Sequence, residues 1–200
     1  MNASFALVSE SDTARDPRGD FVDGERILNG AGDLLRQAEL LLAQIQPSTY
    51  STPVPAVFNA SIGGHIRHCL DHFTSLLNGF DIGLIDYDHR ERDPRVERDP
   101  SFALELTRAL RADLNRLHPD LLDAPIAARC EVSYRRGDAP IARSSLGREL
   151  MYAIAHGIHH FALISVMATL QGVALPDGFG MAPSTLAHLR TRTATEGIAA

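Results

Sequence analysis

Residues 144–172 read SSLGRELMYAIAHGIHHFALISVMATLQG, and their pattern decides the class of the fold. Ser144 or Ser145 supplies an oxygen that can cap a helix. Leu146, Leu150, Ile154, Ile158, Phe161, Leu163, Ile164, Val166, Met167 and Leu170 then carry apolar character to a stop at Gln171-Gly172. Apolar positions cover nearly the whole circumference, which predicts the most buried helix of the molecule, packed among others. Three further stretches supply the partners. Over residues 25–45, Ile27, Leu28, Ala31, Leu34, Leu35, Ala38, Leu41, Leu42 and Ile45 recur at three and four. Ser61 can cap a second helix running to about Gly83, with Ile62, Ile66, Cys69, Leu70, Phe73, Leu76, Leu77 and Phe80 on its stripe. A third, over 101–117, stops at His118-Pro119. Before the last helix, Cys130, Val132 and Tyr134 alternate with polar residues ahead of Gly137-Asp138, which predicts a β-hairpin over 126–143. The expectation is an all-α fold, an antiparallel four-helix bundle with a small β-hairpin before the last long helix.

The remaining segments frame that domain. Residues 1–22 mix Ser, Asp, Arg and Pro without apolar period and predict a flexible leader, 23–190 the bundle domain, and 191–200 a tail. Residues 46–55 read as a linker, and the charged run DYDHRERDPRVERDP as a solvated connection. A chain of 200 residues, 44% hydrophobic and 22% charged, can bury a core of its own, which excludes fibrous and wholly disordered classes. The net charge of −6 removes the driving force for general nucleic-acid binding. Apolar runs such as Phe161 to Leu170 fall short of the roughly 20 residues that span a bilayer, so no membrane contact and a cytoplasmic location are expected. Two cysteines, Cys69 and Cys130, are too few for a disulfide framework.

Nine histidines are the anomaly. His156 and His160 lie one turn apart on the last helix, about 6 Å along its axis, a spacing from which both imidazoles can reach one ion. On the second helix His65, His68 and His72 share an arc of about 60°. An HxxxH pair alone is more often two hydrogen-bonded or half-exposed histidines than a ligand pair. Here the flanking surface is Ala, Ile, Leu, Val, Phe and Met, where an unpartnered imidazole costs about 1 to 3 kcal/mol. A metal shared with a histidine of the second helix relieves that cost. His72 and His159, flanking the ligand faces, are candidates for acid and base roles as well as for solvated positions, whereas His89, His118 and His188 read as surface residues. Asp71 is expected to be exposed and paired with Arg67, and Glu149 is equally a helix-start carboxylate or a partner of a ligand. Cys69 fits a core position. Because imidazole titrates near 6.5, protons should displace metal below about that pH.

HCLDHF at 68–73 and HGIHHFALI at 156–164, with the order of helices and the hairpin position, make the chain similar to the DinB-like, or YfiT-like, four-helix bundle metalloenzymes from about Glu25 to Leu170. The resemblance implies a divalent metal on His68, His156 and His160, with His65 as the alternative to His68, and zinc or nickel as the first expectation. It also implies a small-molecule substrate, with thiol-dependent transfer, using a low-molecular-weight thiol, as the leading activity; a homodimer is among the expected states. In such a reading His72 or His159 takes the thiol proton, and Arg67 or an arginine of the following loop holds a carboxylate. A metal-dependent hydrolase and a non-catalytic metal or small-ligand binding protein are the alternatives.

Overall fold

The computed structural model of the chain describes residues 20–135 and 137–196, with side chains from 24 to 192, and the rest of the predicted leader and tail lies outside these. The described residues are mostly helical. Four long helices, α1 (Asp20–Leu42), α3 (Ile62–Ile82), α5 (Pro100–Leu114) and α6 (Leu146–Leu170), carry the core; α2 (Pro47–Ser51), α4 (Pro94–Arg98) and α7 (Pro183–Glu196) are added between and after them. The last of these crosses the expected border between domain and tail at residue 190. α1 packs against α5 and α6, and α3 packs against α6 and α5. Leu35, Leu41, Ile66, Leu70, Phe73, Leu114, Leu150, Phe161 and Ile164 meet in one continuous apolar interior.

Local signals set the ends of α3 and α6. Ser61 accepts a hydrogen bond from the Gly64 backbone N–H, and Gly83, at φ 75°, ends α3 in the left-handed conformation that glycine adopts without strain. Ser145 caps α6 by accepting from the Arg148 N–H.

Four expectations change. α6 is not the most buried helix: ten of its 25 residues are buried against ten of 21 in α3, and Met151, Val166 and Leu170 are each more than half exposed. Its neighbours α1 and α3 cover two flanks and leave a third uncovered. Among the described residues α6 is also the one helix long and apolar enough to cross a membrane by length and composition, and it packs against both α3 and α1.

The hairpin is shifted and enlarged. Its strands are β2 (Pro125–Arg129) and β3 (Ile141–Ser145), antiparallel, and β1 (Leu84–Asp86) joins β2 in parallel to make a three-stranded sheet. The alternating stretch from Cys130 to Tyr134 is loop, with Val132 and Tyr134 exposed, because the sheet offers no further strand for them to pack on. The charged connection is not merely solvated either: Tyr87 and Val96 are buried, and the Tyr50 hydroxyl donates to the Val96 carbonyl at 2.7 Å. The linker after α1 contains α2.

Candidate metal centre

The inner flank of α3 presents His65, His68 and His72 to α6, which answers with His156 and His160. Nε2 of His68 lies 2.8 Å from Nε2 of His156, which lies 3.1 Å from Nε2 of His160. One nitrogen from each of the three falls within 4.8 Å of the others. The two α6 ligands named from sequence thus meet the expected histidine of α3.

His65 takes a different place from its proposed alternative role. Its Nδ1 sits 2.8 Å from Nδ1 of His160, on the side of that ring away from the His156 contact, and its Nε2 is buried with no hydrogen-bond partner among the described residues.

His72 lies deeper. Its Nδ1–H donates to the His68 carbonyl at 2.8 Å, and Nη1 of Arg90 lies against the ring, 2.9 Å from Nδ1 and 3.2 Å from Nε2, the nitrogen left free to accept from it. The ring stacks on Tyr87, whose hydroxyl donates to Glu149 at 3.0 Å while Ser144 donates to the same carboxylate at 2.6 Å. Glu149 is therefore buried and anchors an aromatic wall, with no bond to a ligand imidazole. Tyr152 completes that wall between Tyr87 and His156. His159 is exposed, with its ring centroid 5.3 Å from that of His160.

Asp71 pairs with Arg67 at 3.1 Å as expected, but it is buried, and burial raises its pKa despite the guanidinium beside it. The charged loop and α4 cover that flank of α3, which is why Asp71 is buried rather than exposed. Arg67 also reaches Glu97 of α4 at 2.9 Å. His89 and His118 are largely exposed, His188 is exposed and Cys69 is core, as predicted.

Burial keeps the cluster neutral. It lowers His68 to about 2, with His72, His160, Arg90 and His156 adding to the effect, and His160 to about 3, with His156 the next cause. His72 falls to about 4 through burial, opposed by its bond to the His68 carbonyl. His65 and His156 are lowered for the same leading reason. Proton competition for the ring nitrogens therefore sets in well below the pH of 6.5 expected from ordinary imidazoles. Neutral, convergent imidazole nitrogens without a carboxylate among them form a donor set suited to a divalent transition metal. His65, His68 and His160 also line an open cleft of about 540 Å³, with Arg67, Glu97 and Asn59 on its walls, which gives a small molecule access to the cluster.

Tyr87 and Tyr152 were missed as parts of the site; an arginine of the loop after α3 was expected there to hold a carboxylate, but Arg90 lies on His72 instead, and Glu149, open between two roles, turns inward to Tyr87 and Ser144. Sequence spacing relates residues on one helix; Arg90 and Tyr87 come from a loop whose charge read as solvation.

Over 109 residues, 54% of its length, the chain is 31% identical to FK506-binding protein 5 of Rhizopus delemar, and it spans 28% of that protein. The pattern defining the DinB family matches residues 35–179, which take in both histidine-bearing helices, and the chain belongs to the DinB family.

Proposed function

We propose that the protein is a divalent-metal-dependent enzyme, built as a four-helix bundle from α1, α3, α5 and α6, which transfers a low-molecular-weight thiol to, or isomerises with its help, a small electrophilic molecule. The observation that carries the reading is the convergence of the His68, His156 and His160 nitrogens, with His68 and His160 on the wall of an open cleft. A zinc or nickel ion there supplies, when bound, a Lewis acid that turns a thiol or a water into a nucleophile at neutral pH.

The chain's own groups provide the rest. His156 and His160, one turn apart on α6, and His68 on α3 bind and orient. Arg67 on the cleft wall is placed to meet an anionic substituent of thiol or substrate in exchange for its bond to Glu97. His72 fixes the backbone at His68 and accepts a proton at Nε2 only after Arg90 has moved off. His159, at the exposed edge of His160, can pass a proton to solvent. Net charge of −6 supports a small-molecule substrate over nucleic acid, and the reading places a homodimer in the cytoplasm without membrane contact.

The test is turnover by metal-loaded protein offered a panel of thiols with electrophiles, alongside ester and amide substrates. Metal-dependent consumption of one thiol–electrophile pair supports the reading. Ester or amide cleavage without thiol would replace it with a hydrolase, and stoichiometric metal binding with no turnover on any substrate would replace it with a binding protein.

A further inference from the structure

We propose that His65 is a positioning residue of the metal centre: it accepts the Nδ1–H of His160 and fixes that ring in the tautomer whose Nε2 faces His156 and His68. The inference rests on the metal reading above and deepens it.

The argument begins with one proton. The two Nδ1 atoms are 2.8 Å apart, and neutral imidazoles at that distance share a single hydrogen between them. If His65 supplies it, His160 is protonated at Nε2, and that proton points at His156 Nε2 and blocks the convergence. If His160 supplies it, its Nε2 lone pair is free, which is the form a metal needs. The cost then falls on His65, whose own proton must sit on Nε2, and that atom is buried with no partner among the described residues. A buried donor left unpaired is unfavourable, and an aliphatic side chain would avoid it. Retaining a histidine at this place is explained by what its other nitrogen does for His160. The same geometry argues against His65 replacing His68 as a ligand. Its Nδ1 meets the Nδ1 of His160, whereas His68 and His156 meet through Nε2.

The experiment compares wild type, His65→Leu and His65→Gln by cobalt(II) titration against a competing chelator, by the visible spectrum of the bound cobalt, and by thermal melts without metal. Loss of an outer partner of a ligating imidazole typically weakens binding about 10- to 100-fold. His65→Leu should show that loss together with an altered cobalt spectrum, while its metal-free melting temperature is equal to or above wild type. The glutamine amide oxygen can accept the same proton, so His65→Gln should recover most of the affinity. A residue serving the fold alone would lower the metal-free melting temperature and leave cobalt affinity unchanged, which would overturn the inference while leaving the metal reading in place. Wild type that binds no cobalt at all would remove both. Should the leucine variant not fold, long-range proton–nitrogen correlation on wild type reads the His160 tautomer directly: protonation at Nδ1 is expected, and protonation at Nε2 contradicts the proposal.

Discussion

His156 stands between His68 and His160, with its Nε2 within 3.1 Å of both, so each of the three rings is defined by the other two. Truncating one leaves an ion on two nitrogens, which cannot hold it well. His156→Ala and His160→Ala should abolish stoichiometric metal binding in a calorimetric titration, and His68→Ala should weaken it at least tenfold; His118→Ala, a surface change, should leave it as it is. Protonation follows from the same crowding. His68, His72 and His160 titrate in the folded protein at about 2, 4 and 3, against about 6.5 in an unfolded chain. Between those values the unfolded state binds more protons. The contribution of these three groups to the stability of the metal-free protein is therefore fully present above about pH 6.5 and is lost as pH falls towards the folded values. A thermal melt should show a lower midpoint at pH 5 than at pH 8, and equal midpoints would mean that the imidazoles are protonated alike in both states. Metal affinity should fall far less between pH 7 and 5 than the roughly ten-thousandfold loss that three ordinary imidazoles would suffer.

At the scale of elements, α3 is the part on which the site depends, because it carries His65 and His68 on one flank and is clamped by α4 and β1 on others. Gly79 allows the β1 approach: a Cβ there would lie 2.6 Å from the Leu84 carbonyl oxygen and 2.7 Å from the Ile85 Cα, both backbone atoms that cannot swing aside. Gly79→Ala should cost about 1 to 3 kcal/mol in denaturant unfolding. Gly32→Ala, in α1 with nothing within 4 Å, should instead be neutral or stabilise by up to about 1 kcal/mol. A matching loss in both would show that β1 does not press on α3. The helices were legible because their signals are local: apolar spacing, Ser61 and Ser145 as caps, Gly83 as a stop. The HxxxH pair and the shared arc of His65, His68 and His72 were legible for the same reason. What escaped depends on distant chain. β1 is three residues long and pairs with a strand some forty residues later, so nothing in its own composition announces it. Val132 and Tyr134 alternate like a strand yet remain exposed, since alternation says nothing of whether a neighbouring strand exists. The place of Arg90 beside His72 is likewise a contact between a loop and a helix that no spacing encodes.

For the molecule as a whole, the candidate ligands come from α3 and α6, 88 residues apart between His68 and His156, and they meet only when the core between the helices has formed. An ion there ties the two helices together and binds the folded state alone, which couples metal to stability: at a hundred times its Kd it adds about 2.7 kcal/mol. The aromatic wall of Tyr87 and Tyr152 on one side and the cleft beside Arg67 on the other leave the cluster half-buried and open to a small molecule. The central claim is that His68, His156 and His160 hold one divalent ion. Crystals grown with zinc and measured above and below the zinc absorption edge test it most directly. The account predicts a single anomalous peak per chain, about 2.0–2.1 Å from a ring nitrogen of each of these three histidines; a peak on other residues, or none at this cluster, would contradict it.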